Sequence, residues 1–277
     1  MRNLSLSIIT TSLDRKSLLT KTLTSVLAQS YLAIEQIVVD GGSNDGTREL
    51  LGVFEERFRK KKFGFRWISE KDSGQGEAMN KGLKMASGDF AMILNSDDFL
   101  YASDSVARYM KVAAGDPAID AIYGDHESLF ENGKRELIRH HFYSLDDILR
   151  RGYQVPQSAT IFRLALIQRV GGFDEALRHV AEHELFLRMM KSGARFSYIP
   201  ETLQVTLEHA GRKTTAHFGR AWRETKRVNF KYGGSYFSPF YVLYVKNVYF
   251  RWLWSLVRGL SPRFYEGIKK TFYRVYR

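Results

Sequence analysis

Short apolar runs alternate with helix-spaced apolar positions along residues 4–100. Leu6–Thr11, Gln36–Val39, Arg66–Ile68 and Phe90–Leu94 have the length and apolar content of buried strands. Between the first two, Leu18–Gln29 sets Leu19, Leu23, Val26 and Leu27 on one helical face, and Thr47–Phe58 and Glu77–Met85 follow as further helices. Strands alternating with helices predict βαβ units and a parallel, doubly wound sheet. Beyond Asp98 the rhythm loosens. Ser105–Ala113 reads as a helix, Ala121–Tyr123 and Ala159–Phe162 as strands, Glu131-Asn132-Gly133-Lys134 as a hairpin turn, and Glu184–Lys191 as a helix ended by Gly193. No repeat or low-complexity linker interrupts the chain.

Composition changes this picture at one end. The chain has 277 residues and a net charge of +12, yet from Arg212 onward there are 15 basic and 2 acidic residues, so the first 211 are close to neutral. The same segment holds Tyr236, Phe237, Phe240, Tyr241, Tyr244, Tyr249, Phe250, Trp252, Trp254, Phe264, Tyr265, Phe272, Tyr273 and Tyr276. The expected division is therefore a near-neutral domain over 1–211, with halves at about 1–100 and 101–211, and a basic, aromatic extension over 212–277 that Pro239 and Pro262 break into helical pieces. The chain has no cysteine, which excludes disulfides and Cys-ligated zinc. Met1-Arg2-Asn3-Leu4 enters the first strand at once, so no signal peptide is expected.

The chemistry gathers at the strand tips. The run Phe90–Leu94 stops at Asn95-Ser96-Asp97-Asp98, which puts paired carboxylates where open α/β sheets bind ligands. Two adjacent like charges call for a cation or full solvation, and a divalent ion carrying phosphate oxygens would satisfy them. A solvated acidic turn is the bland alternative. At the second tip Asp40-Gly41-Gly42-Ser43-Asn44-Asp45-Gly46-Thr47 offers a carboxylate, a glycine turn and a helix start, features that suit a base, a ribose or a phosphate. An ordinary strand–turn–helix junction would look similar. A third tip, Glu70-Lys71-Asp72-Ser73-Gly74, leads into a helix carrying Asn80 and Lys81.

Together these stretches resemble family 2 glycosyltransferases of the GT-A fold. The matching pieces are Ser7-Ile8-Ile9-Thr10-Thr11, the Asp40–Thr47 turn, Asp72 through Ala78-Met79-Asn80-Lys81-Gly82, and Leu94–Asp98, over a resemblance of roughly residues 4 to 233. The closest flavour is the bacterial exopolysaccharide, colanic-acid-like transferases. The resemblance implies an α/β GT-A fold with a Rossmann-like, mostly parallel sheet. It also implies nucleotide-sugar binding by Thr10, Thr11, Asp40, Gly41, Asp72, Asn80, Lys81, Asn95, Ser96 and Asp97, with Asp40 on the base and Asp72 on the nucleoside side. Mn²⁺ or Mg²⁺ would be held at Asp97 and Asp98, with Asp98 the direct ligand, and His209 could add a metal or phosphate contact.

On the acceptor side, Gly171-Gly172-Phe173-Asp174-Glu175 precedes Ala181-Glu182-His183-Glu184-Leu185-Phe186-Leu187-Arg188. Alignment on Arg188 puts Glu182 where the family has Asp, as the catalytic base of an inverting transfer. Glu184 competes for that role, His183 stands third, and Gln157 falls near the acceptor pocket. A UDP-sugar donor and a saccharide or lipid-linked saccharide acceptor in surface polysaccharide synthesis are implied. Rival readings are a nucleotidyltransferase, though Thr10-Thr11-Ser12-Leu13-Asp14 lacks a basic glycine-rich triphosphate loop, and a non-enzymatic nucleotide-sugar sensor.

Basic residues interleaved with aromatics suit an anionic membrane surface, a packing or homo-oligomer contact, or single-stranded nucleic acid. The membrane surface is favoured, with the enzyme peripheral on the inner face of the plasma membrane, and no nucleic-acid partner is expected. Lys246, Arg251 and Arg258 interrupt the apolar run, so a spanning helix is not expected.

Overall fold

The computed structural model describes residues 4–151, 155–209 and 218–245. The expectations for Met1–Asn3, and those resting on Lys246, Trp252, Trp254 and Pro262, lie outside the described residues. The elements of the first half are β1 (Leu6–Ser12), α1 (Lys16–Leu27), β2 (Ile34–Asp40), α2 (Thr47–Lys61), β3 (Gly64–Ser69), α3 (Gln75–Met85), β4 (Phe90–Ile93) and β5 (Asp98–Leu100). The rest comprises α4 (Ser105–Gly115), β6 (Ala121–Phe130), β7 (Arg135–Ile138), α5 (Leu145–Arg151), a 3-10 turn at Gln157–Ala159, β8 (Thr160–Arg163), α6 (Leu164–Arg169), α7 (Ala181–Lys191), β9 (Phe196–Glu208), α8 (Phe218–Lys231) and α9 (Pro239–Val245).

Among the described residues one nine-stranded sheet runs β3-β2-β1-β4-β8-β6-β9-β5, with β7 added at β6. The first four strands are mutually parallel, so their carboxyl ends, Ser12, Asp40, Ser69 and Ile93, rise along a single edge. Strand β8 enters antiparallel between β4 and β6, and β9 runs parallel to β6 but antiparallel to β5. The α/β class and the parallel sheet of the first half thus stand, with antiparallel pairings joining the second half. The chain steps outward from β1 to β3 and returns to place β4 on the other side of β1, so the topological switch lies between β1 and β4.

Period-two alternation explains the two cores. Ile8, Val38, Phe90 and Met92 point to the face covered by Leu19 and Leu23 of α1, Phe54 and Phe58 of α2 and Tyr109 of α4. Ile9, Ile37, Val39, Ala91 and Ile93 point to the other, under Met79 and Leu83 of α3, Ile148 of α5 and Leu185 of α7. Helix α3 rides low because position 82 is glycine: a Cβ there would run into Cγ2 of Ile9.

Helix α8 falls in the segment read from sequence as an extension, and it packs against α7. Val228 belongs to the α3–α7 core, and His183 Nε2 lies 2.6 Å from Asn229 Oδ1. Helix α9 buries Phe240 and Tyr244, with Phe240 stacked on Trp222. Among the described residues no helix is long and apolar enough to cross a membrane.

Candidate functional site

Two loops at the carboxyl edge interlock before any ligand arrives. Asp14, left-handed at φ 50°, accepts from Asn44 N at 2.9 Å while its own N donates to Ser43 Oγ at 2.8 Å. Asp45 accepts from Lys16 N at 2.8 Å and from Thr47 Oγ1 at 2.6 Å. The chain between β1 and α1 is therefore clamped to the chain between β2 and α2. Asp40 lies wholly inside the second turn, where it accepts from Ser43 N at 3.0 Å, Ser43 Oγ and Ser69 Oγ at 2.6 Å. Its carboxylate organises the turn at the tip of β2. Asp72 is the carboxylate that stands at Gly41: a Cβ on Gly41 would meet Asp72 Oδ2 at 2.8 Å.

The β4–β5 turn gives its two aspartates opposite surroundings. Asp98 is buried and begins β5, with Oδ2 accepting from Asn95 Nδ2 at 3.2 Å. Thr22 of α1 reaches the same turn and donates to Asp98 O at 2.7 Å or Ser96 O at 3.0 Å. Asp97 instead faces Arg15 and His209. Its Oδ2 lies 3.2 Å from Arg15 Nη1 and 3.0 Å from His209 Nε2, and those two nitrogens are 3.1 Å apart. Pairing of β5 with β9, extended by Leu207 N donating to Asp97 O at 3.1 Å, is what returns His209 to this edge. Asp97 is the less buried of the two, beside the Asp98 that sequence offers as the direct ligand.

Among the described residues no group of three or more His, Cys, Asp or Glu gathers in a way that could hold a metal. Asp97 and His209 nonetheless supply an oxygen and a nitrogen donor, and divalent ions of this kind commonly complete their shell with substrate phosphate and water. That donor pair fits Mg²⁺ or Mn²⁺ held jointly with a diphosphate.

The other expected site residues make the following contacts within the protein. Thr10 is buried and accepts from Gln36 Nε2 at 3.0 Å, whereas Thr11 is half-buried near the strand end. Ser96 is buried beneath Thr22. Asn80 is a strut: its amide donates to Phe173 O at 2.9 Å and Glu175 Oε1 at 2.7 Å and accepts from Phe173 N at 2.8 Å. Lys81 pairs with Glu70 at 2.7 Å and Glu77 at 2.9 Å. Hydrogen bonds from Lys81 and Ser73 pull the Glu77 carboxyl down to about 2, and bonds to Glu70 and Glu77 raise the lysine above its ordinary value. Asn95 joins the two halves, accepting from Gln75 Nε2 at 3.1 Å and donating toward Gln157 Oε1 at 3.4 Å, while Gln157 donates to Ile93 O at 3.0 Å.

Helix α7 separates its acidic residues. Glu184 is almost wholly buried, with Arg188 Nη2 at 2.7 Å, Lys231 Nζ at 3.2 Å and the Tyr232 hydroxyl on its carboxylate. Burial pushes this carboxyl up, but the bonds from Arg188, Tyr232 and Lys231 outweigh it and hold the group below its ordinary value. Arg188 also donates to Val170 O and to Gly172 O at 2.6 Å, fixing the glycine turn ahead of the helix. His183 is buried, and desolvation holds its imidazole below the ordinary histidine value. Glu182 is half-buried in the first turn of α7. Sequence reasoning missed Arg15, Thr22, Gln75, Lys231 and Tyr232. Arg15 alone carried a local signal, a cation at the start of a helix, where the macrodipole disfavours it.

Comparison with known proteins gives the family. Residues 7–169 match the family described as Glycosyl transferase family 2. An uncharacterized glycosyltransferase of Mycobacterium tuberculosis (strain ATCC 25618 / H37Rv) is 33% identical over 184 residues, 66% of this chain and 67% of the relative. A PGL/p-HBAD biosynthesis glycosyltransferase of Mycobacterium bovis (strain BCG / Pasteur 1173P2) is 28% identical over 193 residues, 68% of this chain and 70% of the relative. Among solved structures, S. aureus TarS 1-349 in complex with UDP-GlcNAc aligns with TM-score 0.66 at 19% identity, covering 81% of this chain and 66% of that one. A longer TarS chain is covered over only 39% of its length. The mannosyltransferase PcManGT from Pyrobaculum calidifontis, in complex with GDP-Man and Mn²⁺, aligns with TM-score 0.61 at 19% identity over 82% of this chain and 65% of that one. At such identity the structural likeness speaks to fold.

Proposed function

The chain belongs to glycosyl transferase family 2, and from that premise we propose that it moves a sugar from a nucleoside diphosphate donor, with UDP the first carrier to try, to a saccharide or lipid-linked saccharide. The observation that carries this reading is the meeting of Asp97, His209 and Arg15 at the β1/β4 switch point, the crevice where open α/β sheets take nucleotides. Asp97 and His209 would hold a divalent ion, which when bound neutralises charge on the leaving diphosphate. Asp72, set against Gly41, faces the nucleoside. Gln157 and Asn95 line the passage toward the acceptor half.

Glu182 serves as the general base. It takes the acceptor hydroxyl's proton as that oxygen bonds to the anomeric carbon; the bond from that carbon to the diphosphate oxygen breaks, and its electron pair leaves with the nucleotide. Support comes from the fate of its neighbours, because Glu184 is saturated by Arg188, Lys231 and Tyr232 and His183 is bound to Asn229. The outcome is inversion at the sugar carbon.

The basic segment suits a peripheral place on the inner membrane face, where a lipid-linked acceptor would sit. Exposed Tyr236, Phe237 and Val242 beside the cationic α8 support this. The test is thermal stabilisation by UDP-, GDP- and dTDP-sugars with and without Mn²⁺ or Mg²⁺, followed by release of nucleoside diphosphate in the presence of candidate acceptors. Stabilisation by one sugar nucleotide, greater with metal, is the expected result. Release of pyrophosphate from a nucleoside triphosphate would instead identify a nucleotidyltransferase, and binding without turnover a sensor.

A further inference from the structure

Arg15 stands at the entry of α1 with no side-chain capping bond, its charge at the positive end of the helix dipole. Something must offset that placement, and the partners are on the page. Arg15 Nη1, Asp97 Oδ2 and His209 Nε2 form a triangle with sides of 3.2, 3.0 and 3.1 Å. A single imidazole nitrogen donates to the carboxylate or accepts from the guanidinium according to tautomer, and does not do both at once. With Nε2 unprotonated, the Asp97 oxygen and the His209 nitrogen are both acceptors, and the guanidinium faces the two of them.

The backbone beneath Arg15 is fixed. Asp14 and Lys16, its neighbours on either side, are bonded to Ser43, Asn44 and Asp45 of the adjoining turn. Any response of Arg15 to a ligand is thus a swing of its side chain, with its Cα held at the mouth of the switch-point crevice. A guanidinium fork matches phosphate oxygens in a bidentate manner, which a carboxylate–imidazole pair does not need.

We propose that Arg15 is the resident counter-cation of the donor site: without donor it occupies the cation position between Asp97 and His209, and with donor it yields that position and binds the diphosphate. This rests on the donor-site reading above. Two consequences pull in opposite directions. Arg15 competes with a divalent ion for Asp97 while the site lacks nucleotide, and it adds to nucleotide affinity once the ion is in place.

Arg15→Met keeps the aliphatic stem and removes the charge. Manganese binding to the nucleotide-free protein, read from the paramagnetic resonance of free Mn²⁺, should tighten about fivefold, since a charge-assisted bond no longer competes. Calorimetric affinity for UDP or GDP at saturating Mn²⁺ should fall about tenfold, the loss expected for one charge-assisted contact. Arg15→Lys, which retains charge without the fork, should leave Mn²⁺ affinity near that of the unaltered protein while weakening nucleotide. A merely structural role would weaken both ligands together or neither, and either result for Arg15→Met overturns the proposal; if Arg15→Met does not fold, unchanged nucleotide affinity in Arg15→Lys does so. Absence of nucleoside diphosphate binding by the unaltered protein would sink the donor-site reading itself, whereas binding that ignores position 15 sinks only this inference.

Discussion

The donor edge and the α7–α8 brace place acidic residues by opposite means. At the donor edge, carboxylates come from loops that leave parallel strands, and short polar links between neighbouring loops hold them. In the brace, Glu182 and Glu184 lie two positions apart on one helix, yet one is half-buried and the other lies fully under Arg188, Lys231 and Tyr232. Strand ends aim a group outward because the sheet stops there. A helix aims successive residues in different directions, so partners on α8 decide which of two similar carboxylates is drawn inside.

The largest effect expected is at the donor edge. Asp97→Asn should lower transfer by about 10³-fold, the scale of losing a group that stabilises developing charge, with a modest fall in melting temperature because the carboxylate is paired with Arg15 and His209. Asp98→Asn should show the reverse balance, losing stability first, since Asp98 is buried at the start of β5. A quantitative assay of nucleoside diphosphate release beside a thermal melt distinguishes the two.

Next is the pair on α7. Glu182→Gln should reduce turnover by roughly 10²-fold with nucleotide affinity intact. Glu184→Gln should cost about 2 kcal/mol of stability, below the 3–5 of a fully buried broken pair because Lys231 is more than half exposed. A dead Glu184→Gln with an unaltered melt, alongside an active Glu182→Gln, would exchange their roles.

The brace also predicts an acid response. The Glu184 carboxyl titrates lower in the folded chain than unfolded, so its contribution is complete above the ordinary value near 4.5 and fades as pH falls through the lower folded value. His183 is likewise lowered, from near 6.5, so protonation favours the unfolded chain and stability begins to decline as pH drops below that value. Melting temperature should therefore fall between pH 7 and 5, and His183→Gln should flatten that part of the curve.

The smallest effects belong to α8 and the turn that leads into α9. Lys226 Nζ sits within 4.9 to 5.9 Å of the ring centres of Phe230, Tyr236, Tyr241 and Tyr244, so Lys226→Met should cost about 1 kcal/mol. Phe237→Ser, at a fully exposed position, should leave the melt unchanged and weaken sedimentation with anionic vesicles. Unchanged sedimentation would remove Phe237 from any membrane contact.

The donor half was legible because its signals are local. Alternation in β1, β2 and β4, helix spacing in α1 to α3 and glycine turns all lie within a few residues of what they specify. The hairpin turn at Glu131–Lys134 was legible for the same reason. Strands β5 and β9 were not: β5 is three residues long, and β9 carries polar positions that only its partners β5 and β6 explain. The work of Asn80 depends on Phe173, and the fate of Glu184 on Lys231 and Tyr232, contacts separated by dozens of residues. Carboxylate identity was visible from sequence. Which carboxylate is drawn into the hub was decided by distant chain.

Gly41 and Asp72 carry a consequence for how such a site can drift over generations. Because a Cβ at 41 would stand 2.8 Å from Asp72 Oδ2, a side chain at 41 requires the end of the Asp72 side chain to move. A lineage that gained a side chain at 41 would have to shorten the residue at 72 or turn it away. The two positions should behave as one inherited unit, in which Gly41→Ala is tolerated only beside a smaller residue at 72.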